Sequence, residues 1–230
     1  MEHQVKPEPP FWLNPNFRLK SPHFHFSWFK ADMTILRQEA MIKSVERKVY
    51  QTNTQCIVCM ICPDHSSLDI VYSENTNFEN LRLQKWLRVT IRDEIVARAK
   101  IVLPDRLREL ERKHNLFGNR VMVKKLRGNT MGCCSVYNDI TLMPGLIIMP
   151  QPLIDSVILH EMAHYKHKHH RKSFWDFLSQ LLGEDAKAQK GAMDIVLSKY
   201  WLQIKFLMKW FFWTSATDWN SYRLPLRREN

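Results

Sequence analysis

The chain has 230 residues, of which 45% are hydrophobic and 25% are charged, and it contains 6 glycines and 11 prolines. This composition predicts a globular protein with one large domain, and the scarcity of glycine excludes long flexible linkers. The net charge of +11 favours anionic partners such as nucleotides, nucleic acid, anionic lipid or acidic substrates, or a basic surface without a dedicated partner.

The cysteines and the apolar segments bear on the compartment. Five cysteines form two tight groups: Cys56, Cys59, Cys62, Cys133 and Cys134. This odd, clustered set does not resemble a disulfide framework, and the first ten residues lack the apolar core of a signal peptide. Three lysines interrupt the most apolar stretch, 196–213, and argue against a transmembrane span. We therefore expect a cytoplasmic protein.

The N-terminal half begins with an expected irregular region. Prolines and scattered aromatic residues over 1–45 predict an irregular N-terminal extension. Two apolar runs, 55–62 and 68–72, are separated by a polar turn and predict a hairpin or meander. Residues 79 to about 115 have apolar positions at helical spacing, and Pro104 predicts a division into two helices.

The C-terminal half alternates between strand and helix signals. Residues 120–124, 140–142 and 146–149 have strand character. An amphipathic helix is predicted over 152 to about 167. Further helix is predicted from Ser173 to about Trp213, with breaks at two glycines, Gly183 and Gly191.

The helix over 152–167 contains the motif that indicates chemistry. At 100° per residue, His160 and His164 project from one face, opposite the apolar side chains. Two imidazoles at this spacing can bind one tetrahedral zinc ion, while Glu161 takes a proton from the zinc-activated water. The pattern favours a zinc hydrolase acting on peptide bonds. The alternative is a histidine tract that binds metal incidentally.

A third ligand is harder to place from the residues alone. If the helix continued, His170 would lie roughly 100° away from the face of His160 and His164. It could then bind the same ion only if the chain turned after about residue 167. His167 would stay on the correct face, one turn further along. Because residue 167 is not glycine, the extended metzincin pattern is not satisfied.

The helix motif and the residues around it resemble those of a known family, the YgjP-like metallopeptidase domains, which are related to the SprT-like zincins. The segment His160-Glu161-Met162-Ala163-His164, then His170, then Phe174-Trp175 is similar to the family's signature. Other family positions occur in the same order: Trp86, Pro104, Gly132–Ser135, Asp139–Leu142, Pro150 and Ile154–Ile158. The resemblance covers about residues 80–190. One departure is Met131-Gly132-Cys133-Cys134-Ser135, where members usually have Trp-Gly-Ser-Cys-Ser.

The resemblance implies both a fold and a site. The fold is α+β and zincin- or minigluzincin-like, with a small mixed or antiparallel sheet beside the active-site helix. His160, His164 and His170 would be the zinc ligands and Glu161 the catalytic acid and base. An edge strand near 140–142 would receive an extended peptide substrate. We assign residues 46–195 to this domain and residues 196–230 to a Trp-rich helical extension.

Two alternative functions remain at this stage. The basic segment around the histidines and the net charge suggest a metal-dependent nucleoside triphosphate hydrolase. The SprT-like relationship suggests a DNA-associated protease. Cys56, Cys59 and Cys62 could indicate a second metal site, but on a strand Cys59 points away from the other two, which favours a structural role.

Overall fold

The computed structural model describes residues 12–44 and 46–208, without the side chains of 189–194. Its first sheet has four strands: β1 (His25–Ala31), β2 (Arg47–Gln51), β3 (Cys56–Ile61) and β4 (Ser67–Ser73). Their order is β1-β4-β3-β2; β1 pairs with β4 in parallel, and the other pairs are antiparallel. The predicted meander over 55–72 is therefore confirmed. Helix α1 (Met33–Met41) covers one face through buried Leu36.

The prediction of an irregular extension over 1–45 is wrong for residues 25–41, which form β1 and α1. β1 gains its hydrogen bonds from a strand about forty positions away, beginning with the pair His25 and Ser67. Local sequence does not reveal such a partner. Phe24 and Phe26 are buried in the same core as the later elements. Residues 1–11 lie outside the described part, and the domain boundaries at 45 and 195 stay a prediction.

A single long helix, α2 (Leu81–His114), crosses the molecule. The Asn80 side chain accepts hydrogen bonds from two N–H groups of its first turn, and Asn115 ends it in the left-handed conformation. The prediction of two helices divided at Pro104 is therefore wrong. An internal proline costs about 3 kcal/mol. The apolar stripe continues in register through buried Leu103 and Leu107, each of which contributes about 1.5–3 kcal/mol.

A second, three-stranded sheet lies beside α2. Its strands are β5 (Val121–Val123), β6 (Gly132–Cys134) and β7 (Ile140–Leu142), in the order β5-β7-β6. β5 is parallel to β7, and β6 is antiparallel to β7. The predicted strand at 146–149 is instead a buried 3-10 helix, Pro144–Ile148. Pro144 has a φ suited to the start of a helix and lacks the N–H that a strand ladder needs.

Three helices complete the described chain: α3 (Gln151–Ala163), α4 (Lys172–Leu182) and α5 (Ala186–Met208). Gly183, in the left-handed conformation with φ +77°, ends α4 as predicted. The break predicted at Gly191 does not occur, because α5 continues through that position. Trp201 and Ile204 of α5 are buried in the main core, whereas Trp213 lies outside the described residues.

Over the described residues the architecture is therefore mixed α+β, with two small mixed sheets and six helices if the 3-10 helix is counted. This confirms the predicted fold class at that level. Among the described helices, none has the length and apolar character needed to cross a bilayer.

Candidate metal centre

Helix α3 presents the predicted histidines on one side. Its first turn contains Pro152, where a missing N–H costs nothing because the first N–H groups of a helix have no partner within the helix. Ile158 and Met162 are fully buried on the opposite side. His160 and His164 lie one turn apart, with ring centroids 5.2 Å from each other. The amphipathic pattern thus directs both imidazoles away from the core, as predicted.

His170 joins these two histidines because α3 is shorter than predicted. The helix ends at Ala163 rather than near residue 167, and the N–H groups of Tyr165 and Lys166 form the hydrogen bonds of a closing turn. The chain then reverses before α4. One ligand atom from each of His160, His164 and His170 lies within 4.8 Å of the others. Nε2 of His160 and Nε2 of His170 are 3.0 Å apart.

This donor set fits a single metal ion. In a tetrahedral zinc site the nitrogen ligands lie about 3.3 Å apart, so a small adjustment would place all three on one ion. Within the described residues these three form the one group of His, Cys, Asp or Glu side chains with metal-binding geometry. The ring of His167 instead packs near Phe177, with centroids 5.7 Å apart.

The backbone of His167 nevertheless orients a ligand. Nδ1 of His164 lies 2.7 Å from the carbonyl oxygen of His167. A carbonyl can only accept, so His164 carries its proton on Nδ1 and leaves Nε2 to bind a metal. Burial of its ring also lowers the pKa of His164, which favours the neutral form that a metal requires.

Phe174 supports the three imidazoles from α4. Its ring is fully buried, and its centroid lies 5.0 Å from that of His160 and 4.6 Å from those of His164 and His170. The Trp175 indole N–H donates to the carbonyl oxygen of His170 at 3.0 Å. The sequence showed this aromatic pair only as part of the family resemblance and did not reveal its supporting role.

Glu161 lies beside the histidines and is only 7% exposed. Burial raises the pKa of its carboxyl group from the usual 4.5 to about 7. The backbone of Gly132 approaches it closely: a Cβ atom at residue 132 would lie 2.7 Å from Cγ and 2.9 Å from Oε1 of Glu161. Gly132 therefore leaves the space that this carboxylate occupies.

A comparison with protein families agrees with this geometry. The model of the YgjP-like metallopeptidase domain matches residues 30–193, most of the chain. The chain belongs to the YgjP-like family. A metal-dependent peptidase that acts on peptides or proteins is what this family's description indicates. Comparisons with curated proteins and with solved structures gave no match.

The edge strand of this YgjP-like domain differs from the prediction. Ile140–Leu142 is the central strand of the second sheet, so its prediction as an edge is wrong. β6, which holds Gly132, is an edge strand that lies against α3 and has β7 as its one neighbour among the described strands. The strand at 132–134 is not among the predicted strands, because three residues with one glycine give little strand signal.

The basic segment that follows the motif is engaged with its surroundings. Lys168 Nζ donates to the carbonyl oxygen of Ser135 and to Oδ1 of Asn138, both at 2.6 Å. Lys172 pairs with Asp176 at 2.7 Å, and Lys166 lies over the Phe177 ring. The contacts of Lys168 favour a structural use of that charge, whereas the side chain of Lys172 stays 88% exposed.

The first cysteine group shows no metal-binding geometry. Cys56 packs under α1, whereas Cys59 lies in the main core on the opposite face of β3. All five cysteines are free thiols, and burial raises the pKa of Cys59. Cys56, Cys59 and Cys62 thus form no shared ligand set among the described residues, in agreement with the structural interpretation.

Proposed function

We propose that this YgjP-like domain is a zinc-dependent peptidase in which His160, His164 and His170 hold the ion and Glu161 is the general base. The observation that carries the proposal is the convergence of three imidazoles within 4.8 Å of one another beside a buried carboxylate. Three histidines with an open fourth position are typical of catalytic rather than structural zinc sites.

The choice of zinc follows from the chemistry of the donors. Imidazole nitrogen suits zinc, whereas calcium and magnesium prefer oxygen ligands. When bound, zinc supplies Lewis acidity, which lowers the pKa of a water molecule and polarises the scissile carbonyl.

Glu161 provides the proton transfers. Its carboxylate takes a proton from the attacking water, holds it, and delivers it to the nitrogen of the leaving amine. Burial raises the pKa of this carboxyl group to about 7 in the metal-free protein, which favours its holding a proton between the two transfers, whereas the charge of a bound zinc ion would act in the opposite direction. The main chain of β6 at Gly132 keeps water away from one side of the carboxylate.

The substrate would bind along β6 as an added strand. In the antiparallel pair of β6 and β7, Met143 donates to Met131 and Ser135 donates to Asp139. Because such bonds alternate along a strand, the peptide groups of Gly132 and Cys134 point away from β7. They can pair with an extended peptide, whose scissile bond would then lie near Glu161.

The proposal also includes a zincin-like fold. It includes a cytoplasmic location, because the five cysteines are free thiols.

The metal site is tested by the zinc content of the purified chain and of two variants. We expect about one zinc ion per chain for the natural protein and little for His164→Ala. The matched control is His167→Ala, which removes a neighbouring imidazole but keeps the carbonyl that orients His164. Equal loss of zinc in both variants, or zinc retained in His164→Ala, would contradict the assigned ligands.

The reaction is tested on the zinc-loaded protein with casein, a peptide library and the four nucleoside triphosphates in parallel. We expect peptide cleavage that disappears in Glu161→Gln while zinc stays bound. Phosphate release that requires the metal, without peptide cleavage, would instead support nucleotide hydrolysis. Cleavage that occurs only with DNA present and falls steeply with salt would indicate the DNA-associated protease.

A further inference from the structure

The segment between α3 and α4, residues 164–171, contains two of the three proposed ligands, His164 and His170. A reversal of this kind needs contacts outside itself, because a free loop would populate many conformations. Two side chains in the segment make long-range hydrogen bonds, Tyr165 on one side of His167 and Lys168 on the other.

Tyr165 attaches the end of α3 to the end of α2. Its hydroxyl donates to Oε1 of Glu111 at 2.8 Å, across 54 positions of the chain. Glu111 is fully buried and also accepts from the Gly118 N–H at 2.9 Å and from Arg108 at 2.5 Å. This buried carboxylate is therefore fully hydrogen-bonded, and it gives the tyrosine a fixed partner.

The tyrosine ring is held as well as its hydroxyl. A Cβ atom at Gly118 would lie 2.3 Å from the ring carbon Cζ of Tyr165, so only glycine admits the ring there. Arg108 continues the connection through a hydrogen bond to the carbonyl oxygen of Asn119 at 2.7 Å. The N–H of Asn119 donates to the carbonyl oxygen of Asn138 at 3.0 Å, and Asn138 lies in the turn between β6 and β7.

Lys168 attaches the same segment to the turn between β6 and β7. Its ammonium group donates to the carbonyl oxygen of Ser135 and to Oδ1 of Asn138, and it lies 3.2 Å from Sγ of Cys134. The turn is itself well ordered, because the Ser135 hydroxyl accepts hydrogen bonds from the N–H groups of Tyr137 and Asp139. Lys168 therefore links the ligand-bearing segment to the end of the proposed substrate strand.

We propose that Tyr165 and Lys168 are positioning residues that hold residues 164–171 in the reversed conformation, so that His170 meets His160 and His164 before a metal binds. Without these two attachments the contacts with Phe174 and Trp175 would remain, but the ion would have to supply more of the order of the segment, and the cost would appear as weaker metal binding. Lys168 also fixes β6 relative to the ligands. The inference needs the proposed metal site but does not depend on which substrate is cleaved.

The test measures zinc affinity in the full chain by competition with a chromophoric chelator, together with the visible spectrum of the cobalt-substituted protein. The variants are Tyr165→Phe, which removes one hydroxyl, and Lys168→Met, which removes one ammonium group. We expect each to raise the zinc dissociation constant about 10- to 100-fold, the usual effect of removing a group that orients a ligand. The cobalt spectrum should lose intensity as the His170 ligand is lost.

Two matched controls separate positioning from general effects. Lys166→Met makes the same charge change in the same segment, but Lys166 lies over Phe177, at 4.5 Å from the ring centroid, rather than on β6. Tyr137→Phe removes the hydroxyl of a tyrosine that is 75% exposed. Both controls should bind zinc like the natural chain. Lys168→Arg, which can still donate to two oxygen atoms, should recover most of the affinity.

Each outcome bears on the inference. If Tyr165→Phe and Lys168→Met both bind zinc as tightly as the natural chain, the inference is overturned. This holds even if both variants unfold at a lower temperature, because Tyr165 and Lys168 would then have only a structural role. Equal weakening in Lys166→Met would overturn the assignment to Lys168. If the natural chain and His164→Ala bind zinc equally, the metal site itself fails, which is distinguishable from a failure of the positioning.

Discussion

The contact between Gly132 and Glu161 leads to a quantitative prediction for Gly132→Ala. The new methyl group would lie 2.7 Å from Cγ, 2.9 Å from Oε1 and 3.0 Å from Cδ of Glu161. Ordinary carbon contacts begin near 3.5 Å, so β6 or the carboxylate must move by about 0.8 Å. A displacement of about 1 Å at a reacting group can reduce the rate about 100-fold. We therefore expect kcat/KM for peptides to fall by roughly 10- to 100-fold.

Three measurements make this prediction sharp. The zinc content of Gly132→Ala should equal that of the natural chain, because Glu161 is not a proposed ligand. Its free energy of unfolding should fall by about 1–3 kcal/mol, because the added methyl group overpacks the contact. Cys133→Ala is the matched control, because Cys133 is the next residue of β6 and is exposed. Full peptidase activity in Gly132→Ala would refute the argument that β6 sets the position of the base. Equal losses in Cys133→Ala would attribute the effect to the strand alone.

Three further predictions concern the elements around the site. In metal-free protein, burial of the Glu161 carboxylate lowers the free energy of unfolding as pH rises from about 4.5 to 7, and this loss is absent below pH 4.5. The free energy of unfolding of Glu161→Gln, measured by urea titration, should therefore rise by about 3 kcal/mol relative to that of the natural chain across this window. A difference that does not change with pH would contradict this prediction. Arg106 binds Asp155 of α3 through two hydrogen bonds of 2.7 and 2.6 Å, and Asp155→Asn should cost roughly 1.5–3 kcal/mol of unfolding free energy; an unchanged value would mean that the pair adds nothing. Phe174→Ala should cost about 3–5 kcal/mol and weaken zinc binding, whereas lower stability with natural zinc affinity would restrict the ring to packing.

The parts of the structure that depend on local pattern could be predicted from the sequence. Helix α3 shows apolar positions at 3.6-residue spacing, and this periodicity alone places His160 and His164 together on one partly exposed face. Gly183 ends α4 because a glycine adopts a positive φ at low cost. Strand β3 is a continuous apolar run, and β4, which contains Asp69 among its apolar residues, follows it after a turn. Each of these signals lies within a single element.

Other parts depend on partners that are distant in the chain. β1 is a strand because β4 pairs with it, whereas the prolines that precede β1 in the sequence predict an irregular segment. Pro104 does not break α2, because the buried stripe on either side outweighs its local cost. β6 has only three residues, and it is recognisable through its register with β7 and its contact with α3. Propensity is a weak guide wherever tertiary packing decides the outcome.

His170 shows how a site can combine both kinds of information. Helix geometry alone places it about 100° from the other two ligands, and only the family resemblance assigned it a role. In the structure α3 ends early, and the reversal is attached by Tyr165 to residue 111 and by Lys168 to residues 135 and 138. Those bonds connect segments 30 or more positions apart. No local pattern encodes them, so a substitution at Glu111, far from the motif, should weaken metal binding more than one at the neighbouring His169.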